Sequence, residues 1–157
     1  MEVIGELKTH KRIRILLLLL IGATLTFIWS RSMKSKSASA AESAAVGQFL
    51  TPFLEFFVGK GKVTDHLVRK LAHFCEYGLL GVEASAWLAL REEKQGAVWS
   101  LPFGFPVGAI DETIQYFFGR GNQFSDVVLD FGGYLCGLGG LWLLLWLFHR
   151  MQRKHEP

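Results

Sequence analysis

Apolar residues run along this chain in long blocks separated by short polar segments. The first block extends from Ile15 to Trp29, and the second runs from Leu71 to Leu90. A third covers Ala97 to Phe118 and a fourth Val127 to Phe148. A bilayer core takes about 20 apolar residues in helical form. The pattern therefore predicts an all-α integral membrane protein with four transmembrane helices, over 15–31, 69–90, 97–118 and 126–148. The first block is short, and Arg14 and Arg31 extend it by snorkelling. Arg31, Lys34 and Lys36 lie where a cleavable leader ending at Ala38-Ser39-Ala40 would need an uncharged region, so the block reads as a retained signal anchor.

Between the first two spans the pattern changes. Residues 30–43 read as a solvated Ser/Ala/Lys-rich loop, and Ser39 with Glu42 has capping-box spacing. From there Val46, Phe49, Leu50, Phe53, Leu54 and Phe57 recur at helical spacing, with Gln48, Thr51 and Glu55 opposite. This predicts a short amphipathic helix over 40–58 lying in the membrane interface, kinked at Pro52 and ended by Gly59-Lys60-Gly61. Thr64 or Asp65 can cap the next helix. Arg91–Gly96 and Gly119–Ser125 read as tight polar turns, which would make the second and third spans antiparallel neighbours. Pro102 and Pro106 fall in the first half of the third span. All 157 residues form one membrane domain in this scheme.

Composition agrees, with half the residues hydrophobic and a fifth charged. The net charge of +3 comes without a basic stripe bearing interleaved aromatics, so nucleic acid is excluded as a partner. Lys8, Lys11, Arg12 and Arg14 precede the first span and place both termini in the cytoplasm. Cys75 and Cys136 lack metal-ligand spacing and are expected as free thiols packed as small core residues. Gly104 with Gly108, and Gly133 with Gly137, Gly139 and Gly140, offer small faces for helix contact, including contact between copies of the chain.

The candidate chemistry is a set of ionisable residues inside the spans. Lys70, His73, Glu76 and Tyr77 lie near the start of the second span, Asp111, Glu112 and Gln115 near the end of the third, and Asp126 and Asp130 at the start of the fourth. Alternating helix direction brings all three groups, with Arg120 in the turn, to one face of the membrane. At ~1.5 Å rise per residue, Glu76, Asp111 and Asp130 sit roughly 5–10 Å below the surface. Five acids, Glu76, Asp111, Glu112, Asp126 and Asp130, outnumber the basic Arg69, Lys70 and Arg120, with His73 as a further proton acceptor. A low-dielectric site does not hold that surplus bare. A carboxyl is protonated, a cation binds, or acids reach water. A salt-bridge network that only fixes helix register is the competing explanation. His73 and the carboxylates could ligate a divalent cation, though no HExxH motif is present. Glu83 lacks a basic partner at its depth and is expected to be protonated and hydrogen-bonded.

Three stretches resemble the VanZ-like family of small bacterial membrane proteins. They are Lys70-Leu-Ala-His73-Phe-Cys-Glu76-Tyr77-Gly-Leu-Leu, Asp111-Glu112-Thr-Ile-Gln115-Tyr-Phe, and Arg120 followed by Asp126-Val-Val-Leu-Asp130-Phe-Gly-Gly133. Trp29-Ser30 and the Ser-rich loop after it are a weaker echo. The family pattern usually carries Asn where this chain has Asp130. The resemblance implies several short spans, a bacterial cell-membrane location and, from the founding member, a link to teicoplanin resistance; it supplies no reaction.

Three functions stay open on the sequence. The first is an envelope protein whose extracytoplasmic polar site binds membrane lipid or a lipid-linked cell-wall precursor, with Lys70 and Arg120 holding its phosphate. The second is a membrane-embedded hydrolase or transferase with His73 as acid/base. The third is a proton- or cation-coupled transporter subunit. No phosphate loop or dinucleotide fingerprint gives a more definite reaction.

Overall fold

In the computed structural model, residues 2–90, 100–120 and 123–153 are described, and among them the chain is entirely helical. Helix α1 spans Glu2–Ser32, α2 Lys36–Val58, α3 Asp65–Ala89, α4 Gly104–Phe117 and α5 Phe124–Arg153, with a 3-10 turn at Leu101–Phe103. Among the described residues two segments, His10–Ser32 and Phe124–Arg153, are long and apolar enough to cross a membrane by length and composition. Their outward faces are apolar. Leu16 and Leu19 on α1 and Leu144 on α5 are each 63–65% exposed, while Asp111, Glu112, Gln115 and Asp130 are buried.

Several local expectations change. The capping-box start at Ser39 is replaced by a start one turn earlier, where the Ser35 side chain accepts from the Ala38 backbone N–H. Ser39 is instead buried, and Glu42 turns away to pair with Lys34 and Arg31. Thr64 caps α3 by accepting from Leu67 N–H, and Gly59 ends α2 at φ 94°. Within the expected third span a 3-10 turn precedes the α-helix. Pro102 sits in the 3-10 turn and Pro106 in the first turn of α4, positions whose N–H groups have no helical partner to lose. At 14 residues α4 is about 21 Å long, and the residues preceding Ser100 lie outside the described part. The expected turn at Arg91–Gly96 lies there too.

Helix α2 is amphipathic as expected, with its aromatic face turned outward. Phe49 and Phe56 are 86% and 84% exposed, whereas Ser39, Ser43, Gly47 and Leu54 are buried. Gly47 faces Val68 of α3. Small and polar side chains together with Leu54 make the protein contact, and the phenylalanines face outward.

The other four helices form a closed ring in the order α1, α3, α5, α4, with α1 beside α4. Helices α3 and α4 are therefore diagonal and not the antiparallel neighbours expected from the turn between them. Helix α1 runs antiparallel to α3: Arg14 stacks over Trp87, Thr24 meets Glu83 and Arg31 meets Glu76. Helix α5 runs parallel to α3, with Gly133 against the Phe74 backbone, Gly137 against Gly78 and Gly81 against Tyr134 and Leu138. This α3–α5 contact is the most extensive in the molecule. Gly104 lies against the Tyr134 ring and Gly108 against Val127 and Asp130. These glycine faces are thus taken up within the chain, leaving Gly139 and Gly140 with open space. Cys75 and Cys136 are free but lie on exposed helix faces, not in the core expected for them. The core comprises Ile28, Tyr77, Leu80, Ala84, Val107, Tyr134 and Leu138.

Glu83 is buried at 3% exposure and accepts a 2.8 Å hydrogen bond from Thr24 Oγ1. Thr24→Val should cost about 1–3 kcal/mol by stranding the carboxyl, and a Thr24→Val/Glu83→Met double variant should recover most of that loss. Thermal denaturation in detergent reads both changes; equal melting of the single variant and the parent would show that the bond carries no stability.

Candidate functional site

The ring of helices places all ten sequence-derived site residues at one end. Lys70, His73, Glu76 and Tyr77 come from the first four turns of α3, Asp111, Glu112 and Gln115 from the last turns of α4, and Asp126 and Asp130 from the first turns of α5. A Schellman-type end to α4 delivers Arg120. Gly119 takes φ 75°, its N–H donates to Tyr116 O, and Arg120 N–H donates to Gln115 O at 3.0 Å. The Arg120 guanidinium then reaches across to donate to the Arg31 carbonyl at 3.3 Å.

The residues divide into a rim and an inner group. At the rim Lys70 Nζ pairs with Asp126 Oδ1 at 2.8 Å, and Arg31 Nε pairs with Glu76 Oε1 at 3.2 Å. Glu76 thus turns to α1 and pairs there instead of with the other groups on the same face. Glu42 joins Arg31 and Lys34 at the outer edge, and the Lys34 hydrogen bond holds its carboxyl below the ordinary value. That clip is complete above the ordinary carboxylate pKa and is lost as pH falls through the lowered one. Arg120, half-buried and close to Arg69, is pushed below the ordinary arginine value first by burial and then by that like charge.

Inside the rim, His73 Nδ1 lies 3.7 Å from Asp111 Oδ2 and 3.9 Å from Asp130 Oδ1. Both separations exceed a hydrogen bond. Gln115 Nε2 donates to Asp111 Oδ2 at 2.8 Å, and the Gln123 backbone N–H donates to Glu112 Oε2 at 3.1 Å. Glu112 therefore clamps the turn between α4 and α5. Ser32, fully buried at the end of α1, lies beside Asp111 without a hydrogen bond of normal geometry. His73 Nδ1, Tyr77 Oη, Asp111 Oδ1 and both Asp130 carboxylate oxygens are buried with no hydrogen-bond partner among the described residues. A network serving only helix register would satisfy its own members, because stranded polar atoms in a low dielectric cost more than they contribute.

Two small clefts meet at Arg69, His73 and Arg120, with volumes of about 20 and 10 Å³. Each admits about one water or one ion, and a sugar or phosphate does not fit inside. Sequence reasoning missed Arg31, Ser32 and Glu42. Arg31 was treated as a membrane-interface anchor, although the parity that gathers the other helix ends here also brings the end of α1.

A family model described as VanZ/LLP1 matches residues 15–148. No curated protein and no solved structure matches the chain.

Proposed function

The chain belongs to the VanZ/LLP1 family, and from that premise we propose that it is a multi-pass bacterial cell-membrane protein whose rim binds the phosphate of an envelope lipid or lipid-linked cell-wall precursor. Both termini lie in the cytoplasm, four segments cross the bilayer, and the rim faces outward. The observation that carries this reading is the gathering of Arg31, Arg69, Lys70 and Arg120 around two adjoining clefts at the end of the bundle, with Arg69 and Arg120 lining both. Arg120 lies close to Arg69 and has a carbonyl as its hydrogen-bond partner, so an anion would gain from both guanidinium groups. Altered teicoplanin susceptibility is the expected cellular consequence. A hydrolase or transferase acting on the same lipid class is the second reading, favoured by His73 lying between two carboxylates.

Binding is tested in phosphatidylcholine nanodiscs by native mass spectrometry, comparing a polyprenyl monophosphate with the neutral polyprenol. The phosphate should be retained selectively. Lys70→Gln with Arg120→Gln should weaken retention about 10-fold or more, the loss of charge-assisted bonds worth roughly 1.5–3 kcal/mol. Equal retention of the neutral alcohol, or of the phosphate by the double variant, would contradict the proposal. Orientation is read with Cys75 and Cys136 removed: Ser37→Cys should react with an impermeant thiol reagent in intact cells and Lys94→Cys should not.

A further inference from the structure

We propose that His73, Asp111 and Asp130 form a binding site for one divalent cation of the zinc class beneath the rim. One nitrogen and two carboxylate donors, each from a different helix, converge with their ligand atoms all within 4.8 Å of one another. Two metal–ligand bonds of about 2.0–2.2 Å span at most ~4.4 Å and about 3.4 Å at a tetrahedral angle. The His73–Asp111 and His73–Asp130 separations of 3.7 and 3.9 Å lie between those limits.

The second observation is independent of the acidic cluster. Asp130 is 1% exposed and neither of its oxygens has a partner among the described residues; Asp111 is 0% exposed and its Oδ1 has none there. His73 Nδ1 points at both carboxylates yet bonds to neither. Two buried carboxyl groups and a ring nitrogen held just beyond hydrogen-bond distance are what a cation between them would satisfy at once. Gln115 supplies the orienting bond expected behind a ligating carboxylate, since it fixes Asp111 through Oδ2. The imidazole decides the class of ion. Magnesium and calcium favour all-oxygen shells, whereas zinc, cobalt and related ions accept one nitrogen with carboxylates. Three protein ligands leave a coordination position open toward the cleft that His73 and Asp130 line.

The full-length chain, purified in detergent without a histidine tag and stripped with chelator, tests this by titration with Zn²⁺ alone and Co²⁺ alone. The expected result is one Zn²⁺ per chain after desalting, a raised melting temperature with Zn²⁺, and visible cobalt absorption bands. Asp130→Asn and His73→Gln should abolish the bands, and Gln115→Leu should weaken affinity about 10-fold or more. Lys70→Gln with Arg120→Gln should leave metal binding intact, so failure here and failure of lipid binding are told apart. Absence of stoichiometric binding to the unaltered chain overturns the proposal whatever the variants do. Unchanged binding by folded Asp130→Asn and His73→Gln variants, or a preference for Mg²⁺ over Zn²⁺, also overturns it.

Discussion

Leucine at Gly137 is expected to remove folded protein from the membrane, whereas alanine at Gly139 is expected to leave its abundance unchanged. A Cβ at Gly137 would lie 1.9 Å from the Gly78 carbonyl oxygen, and one at Gly81 would lie 2.1 Å from that of Tyr134. Both obstacles are backbone, so no side-chain rotation relieves them and α3 and α5 must separate. Overpacking costs about 1–3 kcal/mol where side chains can adjust, and more where they cannot. A loss above ~3 kcal/mol is therefore expected at Gly137. The same shift would part His73 on α3 from Asp130 on α5, so ligand binding should fail with the fold. Gly139 has open space, and alanine there improves helix propensity by roughly 0.5–1 kcal/mol. Size-exclusion profiles and melting in detergent read the contrast. A Gly137→Leu variant that melts with the parent would mean that α3 and α5 do not pack through these glycines.

The second large effect is expected from reversing the charge of Arg31. In Arg31→Glu the new carboxylate would face Glu76, only 15% exposed, and Glu42 beside it. Breaking a buried pair costs about 3–5 kcal/mol, and a third of the Arg31 side chain reaches solvent, so a loss near ~2–3 kcal/mol is expected after screening. Exchanging the partners, Arg31→Glu with Glu76→Arg, should recover at least half of it through a coupling energy of roughly 1–2 kcal/mol. Additive losses in the double variant would show that the two side chains do not act together.

The sequence made the site's location legible because helix parity and rise per residue fix depth without knowledge of packing. His73, Asp111 and Asp130 meet for that reason. Which helices adjoin was not legible: the Arg91–Gly96 turn suggested α3 beside α4, but the close glycine contacts of α3 with α5 prevail and put α4 across the ring. Glu76 consequently finds Arg31 rather than an acid-bearing helix. Periodicity also identified α2 as amphipathic without saying which face meets protein. In a lipid surround the small-residue side packs, and Phe49 and Phe56 point outward.

If the inner polar group exists to bind a ligand and not to hold the fold, the melting temperature of Asp111→Asn/Asp130→Asn in detergent with chelator present should show it. Isosteric amides remove two buried acids whose oxygens are largely unpartnered among the described residues, and an amide oxygen at position 111 can still accept from Gln115. A binding site held at a cost to stability should melt at the parent temperature or above it. A melting temperature well below the parent's, reflecting a loss of ~3–5 kcal/mol, would show that the carboxylates are structural and would contradict the account.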